Sequence, residues 1–170
     1  MLNVIQTDYR APDSLEEDRV FGASGLKIKY DIHECSDGDS LVKICAPADA
    51  LIVAYAPIDR KVIDGMPGCR GISFMATGYN SVDLEYATRQ GIVVTNVGGY
   101  CTREVSDHTL AFLLDLSRNT VFLDRTVQKG SWDFEACGRP ARLSDQTLGI
   151  IGLGRIGGQV AKKAQVFGMK

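Results

Sequence analysis

The stretch TLGIIGLGRIGG, residues 147–158, has the pattern of a strand that turns sharply into a helix. Leu148–Ile151 predicts a short buried strand, and the glycines that follow have G-x-G-x-x-G spacing. In that pattern Gly152 makes the tight turn, Gly154 leaves room for a pyrophosphate beside the backbone, and Gly157 lets the helix pack closely on the strand. The stretch therefore predicts one strand, one turn and one helix of an α/β fold.

The helix that begins at Arg155 and Ile156 offers free N–H groups and a partial positive charge to a diphosphate. Glycine spacing alone is a weak signal, but the preceding strand and the amphipathic run from Val160 to Phe167 supply the setting that the motif requires. We therefore predict a dinucleotide site, and a purely structural strand-to-helix turn is the alternative. The predicted cofactor-binding residues are Gly152, Gly154, Arg155, Ile156 and Gly157.

Composition places the chain among ordinary globular proteins. Its 170 residues fit one large or two small domains, and a net charge of −2 without charged blocks argues against nucleic acid or an anionic membrane as a partner. No signal pattern or long apolar run is present, so we predict a cytoplasmic protein. The five cysteines are odd in number and lack C-x-x-C spacing, which predicts reduced thiols and no metal site.

The first part of the chain alternates predicted strands and helices joined by short connections. This alternation indicates a parallel sheet covered on both faces, with ALIVA at Ala50–Ala54 as a strand buried on both faces. Ser14 and Glu17 have capping-box spacing, and Asp59 can cap a short helix. The predicted strands are Leu2–Thr7, Leu26–Ile32, Ala50–Ala54, Gly71–Met75 and Ile92–Thr95. The predicted helices are Ser14 to about Gly25, Asp37–Ala46, Lys61–Asp64, and one capped by Asn80 that ends near Gly91.

The strongest boundary signal is Gly98-Gly99. A helical segment follows from about Thr102 to Lys129, with a possible break near Asn119. Its apolar run Ala111–Leu114 predicts burial between two bodies. The segment Gly130–Ser144 reads as an extended arm, whose aromatic residues we expect to anchor it on its own domain or on a partner subunit. These aromatics are Trp132 and Phe134.

Three segments, matched in order and spacing, resemble the D-isomer-specific 2-hydroxyacid dehydrogenase family, and most of all the branch containing C-terminal binding proteins. They are ADALIVAYAPI (48–58), ATGYNSVDLEYATRQGIVVTNVGGYCTREVSDHTLAFLLDLSRN (76–119) and TLGIIGLGRIGGQVAKKAQVFGM (147–169). The resemblance implies a flavodoxin-like parallel-sheet substrate domain over residues 1–99. It further implies the start of a Rossmann nucleotide-binding domain over residues 100–170.

The resemblance also implies a substrate site formed by Tyr55, Ala76, Thr77 and Gly78, where backbone N–H groups hold the substrate carboxylate. It implies that Thr77, Val105 and Thr109 contact the cofactor, which by family habit is NAD. Other interpretations stay open. The turn at Gly78 could simply need a glycine, Tyr55 could be a packing residue, and Val105 and Thr109 could form one face of a buried helix.

In this family an arginine orients the substrate and a histidine paired with an acidic residue donates the proton, all well downstream of the glycine motif. None of them is matched here, because the chain ends at Lys170. His33 and His108 do not match the catalytic histidine, and neighbours such as Asp107 and His108 do not face each other on a helix. The acidic residue expected about 20 residues after the glycines is also missing. We therefore expect the N-terminal part of a longer dehydrogenase, with no catalytic residue in this chain and no activity by itself.

The resemblance implies an NAD-dependent oxidoreductase that reduces a small 2-oxo acid to the 2-hydroxy acid. Two alternatives remain: an NAD(H)-sensing binding protein of the C-terminal binding protein type, and a non-catalytic scaffold. The resemblance also implies a homodimer through the nucleotide-binding domain, with the Thr102 to Asn119 helix and the Trp132 arm at the contact. The sequence leaves open which 2-oxo acid is used and whether NAD or NADP is bound.

Overall fold

A computed structural model describes residues 1–8, 13–133 and 135–170 of the chain. These residues form two compact units, Met1–Gly98 and Gly99–Lys170. Among them, no helix is both long enough and apolar enough to cross a membrane.

The first unit is a five-stranded parallel sheet with helices between the strands. Its strand order β2-β1-β3-β4-β5 is the flavodoxin-like order, which confirms the predicted α/β fold with a parallel sheet. The strands are β1 (Leu2–Gln6), β2 (Ile28–Ile32), β3 (Ala50–Val53), β4 (Gly71–Phe74) and β5 (Val93–Thr95). The helices are α1 (Leu15–Ala23), α2 (Gly38–Cys45), α3 (Arg60–Asp64) and α4 (Leu84–Arg89).

The core of this unit lies on one face of the sheet. Ile5, Leu51, Ile72 and Val94 are in register across four strands, and α2, α3 and α4 pack over this row. The prediction that Ala50–Ala54 is buried on both faces is wrong. Leu51 and Val53 are buried, but Ala50 and Ile52 are only half-buried, because α1 has no buried residue and covers the second face incompletely.

Helices α2, α3 and α4 of the first unit begin at aspartate caps. The Asp59 carboxylate accepts from the Val62 N–H at 3.0 Å, as predicted. The predicted cap at Asn80 is wrong, since the carboxylate of Asp83 accepts from the Tyr86 N–H at 2.9 Å and α4 begins after it. A parallel bridge between Ile58 and Val82 keeps this segment extended and delays the helix. Hydrogen bonds from the Arg60 guanidinium and then from the Tyr86 N–H lower the pKa of Asp83.

The capping box predicted at the start of α1 does not form. Ser14 precedes the helix with φ −117° and ψ 23°, and its side chain caps no N–H group. Its hydroxyl instead donates to the Asp18 carboxylate at 3.0 Å. A carboxylate is a strong hydrogen-bond acceptor, and here Asp18 binds the Ser14 hydroxyl that the capping box would have used. The spacing of Ser14 and Glu17 was therefore misleading.

The second unit consists of helices and irregular segments. Asn119 has φ 55° and ends the first helix, which confirms the predicted break. The longest two helices pack on each other through Ser106 and Leu110 on one side and Val160 and Ala164 on the other, all of which are buried. The helices are α5 (Thr102–Arg118), α6 (Thr120–Gln128), a 3₁₀ turn (Leu143–Asp145) and α7 (Arg155–Val166).

The burial predicted for Ala111–Leu114 is wrong for the chain by itself. Only two residues of α5 are buried, and Phe112 and Leu116 are exposed. Trp132 is 87% exposed, so it does not anchor the arm on its own unit. Phe134 lies outside the described residues.

The buried strand predicted at Leu148–Ile151 is also wrong. The segment is extended, but its hydrogen bonds reach only one neighbour: the Lys170 N–H donates to the Gln146 carbonyl at 3.1 Å, and the Leu148 N–H donates to the Lys170 carbonyl at 2.8 Å. This is the bonding pattern of two parallel strands on either side of α7. Ile151 is fully exposed because no described residue covers that side.

Candidate functional site

The four predicted substrate-binding residues lie at one edge of the first unit. Tyr55 follows β3, and Ala76, Thr77 and Gly78 follow β4, the adjacent parallel strand. Because both strands run in the same direction, their following loops lie side by side. We call this region the carboxyl edge, defined by residues 54–56, 75–78 and 96–97. Ligands of open α/β sheets bind beyond such edges.

The loop after β4 is held by the loop after β5. The Val97 N–H donates to the Ala76 carbonyl at 3.1 Å, and the Asn96 amide donates to the Thr77 carbonyl at 2.7 Å. The Thr77 hydroxyl donates back to the Val97 carbonyl at 3.1 Å. The backbone at Thr77 and Gly78 is therefore fixed before any ligand arrives, which lowers the entropy cost of binding.

Gly78 does not fill a structural need that only glycine can meet. Its φ lies outside the left-handed region, and a Cβ at this position would meet no atom within 4 Å. The Gly78 N–H has no acceptor among the described residues. Gly78 is exposed, and a backbone N–H without an acceptor in the described residues can donate to an anionic oxygen, which favours the ligand interpretation over the plain-turn interpretation.

Sequence reasoning missed Asp8, which follows β1. Its side chain is 8% exposed, and its carboxylate accepts four hydrogen bonds. One oxygen accepts from the Thr7 hydroxyl at 2.7 Å and the Ala54 N–H at 3.0 Å, and the other accepts from the N–H groups of Tyr55 at 2.6 Å and Ala56 at 3.0 Å. Three successive backbone amides are thus gathered around one buried carboxylate.

Asp8 fixes the loop that presents Tyr55, whose side chain is 76% exposed at the carboxyl edge. This exposure disfavours a packing role for Tyr55 within the chain. The only sequence signal for Asp8 was an acidic residue directly after a buried strand. Its backbone partners lie 46 to 48 residues away, so no local pattern could reveal them.

The glycine turn, residues 152–157, has the geometry of its motif. Gly152 has φ +90°, a conformation that L-residues with side chains rarely adopt. A Cβ at Gly157 would overlap the Gly152 carbonyl oxygen and lie 3.3 Å from the Ile150 side chain. Gly157 therefore permits close helix packing, whereas a Cβ at Gly154 would meet no atom within 4 Å.

The N-terminus of α7 is electrostatically open. Gly154 offers no side-chain cap, and the first turn of the helix carries no acidic residue. Its first N–H groups lack intrahelical acceptors, so their partial positive charge is uncompensated. The exposed Arg155 guanidinium lies beside Gly99, and a Cβ added to Gly99 would be 3.5 Å from the Nη1 atom of Arg155. The exposed side chain of Ile156 follows it.

Val105 and Thr109 share one side of α5, four residues apart. Both side chains are exposed, which is not what a buried helix face would show. The Thr109 hydroxyl donates to the Val105 carbonyl at 2.8 Å, so this hydroxyl has its acceptor within the helix. These residues precede and flank Ser106 and Leu110, through which α5 packs on α7.

Asp107 and His108 do not form a dyad. Asp107 pairs with Lys163 of α7, and the His108 ring packs edge-on against Phe112 with ring centroids 4.4 Å apart. Across residues 1–8, 13–133 and 135–170, no group of three or more His, Cys, Asp or Glu residues is arranged to hold a metal.

The family model "D-isomer specific 2-hydroxyacid dehydrogenase, catalytic domain" matches residues 11–166 of the chain. The chain belongs to this family. The parallel-sheet unit therefore has the fold of the substrate-binding domain of D-isomer-specific 2-hydroxyacid dehydrogenases.

Similar proteins of this family include several named reductases and dehydrogenases. A glyoxylate reductase of Thermococcus litoralis is 38% identical over 65% of this chain and 35% of its own length. A D-3-phosphoglycerate dehydrogenase of Methanocaldococcus jannaschii is 30% identical over 99% of this chain and 31% of its own. A solved D-lactate dehydrogenase of Aquifex aeolicus, in complex with NAD and lactic acid, has a TM-score of 0.85 at 26% identity and covers 99% of this chain. The chain spans half of that structure and about a third of the two curated relatives.

Proposed function

We propose that the protein is an NAD-dependent oxidoreductase that reduces a small 2-oxo acid to the corresponding D-2-hydroxy acid. The observation that carries this proposal is the open N-terminus of α7. At this N-terminus there is empty space beside Gly154, the first N–H groups are uncapped, and the first turn has no acidic residue. The chain that contains it belongs to the dehydrogenase family. These features fit a pyrophosphate, which we propose to be bound by Gly152, Gly154, Arg155, Ile156 and Gly157. Thr77, Val105 and Thr109 are proposed as further cofactor-binding residues on the family resemblance alone.

At the carboxyl edge, the backbone of Thr77 and Gly78 would hold the substrate carboxylate, with Ala76 and Tyr55 beside it. When bound, the nicotinamide supplies the hydride that reduces the carbonyl carbon. The residues of this edge bind and orient the acid, because amides fixed by the Asn96 and Val97 contacts need no rearrangement when the ligand binds.

The proposal is tested by NADH binding and turnover in the full-length protein. Gly154→Ala is the sharpest variant, because the described residues leave space for its methyl group and a bound pyrophosphate would meet it. We expect an unchanged melting temperature and NADH binding weakened by about tenfold or more. Gly149→Ala is the matched control, since its Cβ also meets no atom within 4 Å and it lies outside the turn.

Turnover separates the candidate functions. Oxidation of NADH with glyoxylate, hydroxypyruvate or pyruvate would support the dehydrogenase, and parallel assays with NADPH would identify the preferred cofactor. Binding without turnover of any 2-oxo acid would favour an NAD(H)-sensing protein of the C-terminal binding protein type. No binding of either dinucleotide would overturn both.

We also propose a homodimer through the second unit. Phe112 and Leu116 on α5 and Trp132 on the arm are exposed apolar side chains, which is typical of a subunit contact. Light scattering should report a dimer for the wild type and a shift toward monomer for Leu116→Asp. An unchanged mass for that variant would contradict the contact. The cytoplasmic location stays a prediction.

A further inference from the structure

A lysine of α7 ties the helix of the glycine turn to α5. The Lys163 ammonium donates to the Ser106 hydroxyl at 2.5 Å, to the Asp107 carboxylate, and to the Arg103 carbonyl at 3.5 Å. A lysine has three N–H donors, so all three have acceptors on α5. We call this group of contacts the latch.

The latch reaches into the helix pair at Ser106, while its Asp107 carboxylate stays exposed. Ser106 is fully buried and donates its own hydroxyl proton to the Arg103 carbonyl at 2.8 Å, which leaves its oxygen lone pairs free to accept from Lys163. The Lys163 side chain is only 30% exposed. A partly buried ammonium with three acceptors is held in one geometry, unlike most exposed lysines.

The rest of the helix contact specifies position poorly. The buried apolar residues between the two helices are Leu110 on α5 and Val160 and Ala164 on α7, of which two are small. Apolar contacts are not directional, so they restrict a small slide or rotation of one helix on the other less than hydrogen bonds do. The three hydrogen bonds of Lys163 are directional and fix the register.

The register of α7 matters because its N-terminus carries the glycine turn. Gly154 and Arg155 lie about two turns before Lys163, and Val105 is next to Ser106 on α5. A binding group must be held to within about 0.5 Å to act at full strength. We propose that Lys163 is a positioning residue of the dinucleotide site, which it aligns through the latch. This inference rests on the proposed function.

Lys163 is not expected to bind phosphate itself. Its charge is already paired with Asp107, and its three donors are used on α5. Its effect on the dinucleotide would therefore be indirect, through the position of α7.

The test uses NADH titrations of the full-length protein. Lys163→Met keeps the side-chain length and removes the donors, and we expect it to weaken NADH binding about tenfold, the equivalent of one misplaced charge-assisted hydrogen bond. The KM for NADH should rise in parallel, while kcat and the KM for the 2-oxo acid at saturating NADH stay unchanged. Lys163→Arg should restore part of the affinity.

Lys162→Met is the matched control, because Lys162 is exposed and has no ion pair in the described part of the chain. It should bind NADH like the wild type. Val160→Ala loosens the same helix contact without touching the latch and controls for lost stability. At an equal loss of melting temperature it should retain more NADH affinity than Lys163→Met.

The outcomes separate this inference from the proposed function. If the wild type does not bind NADH, the proposed function fails. If the wild type binds NADH and Lys163→Met binds it equally well, or if Val160→Ala loses as much affinity, the positioning role is overturned. Should Lys163→Met not fold, Asp107→Ala removes one acceptor of the latch at an exposed position, and unchanged NADH affinity in that variant would overturn the inference.

Discussion

Asp8→Asn offers the most direct test of how the carboxyl edge is held. The carboxylate accepts three backbone N–H groups and the Thr7 hydroxyl on two oxygens. An amide has one oxygen, so its NH₂ group must face either Ala54 with Thr7 or Tyr55 with Ala56. The first orientation is the less costly, because the Thr7 hydroxyl can rotate and accept.

Even in that orientation the buried Ala54 N–H loses its acceptor. An unsatisfied buried donor costs about 1–3 kcal/mol, and each remaining bond to a neutral oxygen is weaker than one to a charged oxygen by about 1 kcal/mol. Two such bonds remain, those from Tyr55 and Ala56, so we expect Asp8→Asn to lower the free energy of unfolding by about 3–5 kcal/mol. A looser Tyr55 loop should also raise the KM for the 2-oxo acid.

Urea denaturation of the two proteins measures this difference. Asp39→Asn makes the same chemical change in an exposed ion pair with Lys61, and should cost less than about 0.5 kcal/mol. If Asp8→Asn cost no more than Asp39→Asn, the carboxylate would not be what holds the loop, and the reasoning would be refuted.

Three further predictions concern single residues. Gly78→Ala should leave the urea midpoint unchanged, because its Cβ meets open space, yet raise the KM for the 2-oxo acid; an unchanged KM would argue against a substrate there. Gly157→Ala should lower the free energy of unfolding by about 1–3 kcal/mol through overlap with the Gly152 carbonyl, and calorimetry would detect this. Burial raises the pKa of the Cys45 thiol to about 12, so alkylation of the folded protein at about pH 8 should leave this thiol unmodified. Labelling of Cys45 as fast as an exposed thiol would contradict that burial.

The same thiol makes a prediction about pH. Because folding raises its pKa from 9.0 to about 12, the folded state favours the protonated form. Its contribution to stability is complete below about pH 9 and is lost as the pH rises toward about 12. Cys45→Ala should remove this part of the alkaline loss of stability, and a wild-type alkaline profile in that variant would contradict it.

Local sequence was sufficient for most of the fold. Alternating apolar runs and glycine stops located all five strands of the first unit, and Asn119 marked the break between two helices. One error came where a distant group changed a local preference. The bridge from Ile58 to Val82 moved the start of α4 from Asn80 to Asp83, and no helix pattern contains that information.

The same division applies to the candidate site. The glycine spacing and the three matched segments were enough to propose each site residue, because a turn, an open backbone and a helix N-terminus are properties of neighbouring residues. Asp8 and Lys163 escaped notice because their partners are 46 to 48 and 56 to 60 residues away.

The sequence by itself determined the α/β class, the order of the elements and the position of the glycine turn, since these depend on the periodicity of apolar residues and on the conformational freedom of glycine. Only the tertiary structure decided which face of the sheet is buried, which carboxylate gathers the amides of the Tyr55 loop, and which lysine joins α5 to α7. Those outcomes depend on hydrogen bonds between residues far apart in the chain, whose geometry exists only once the strands and helices have packed.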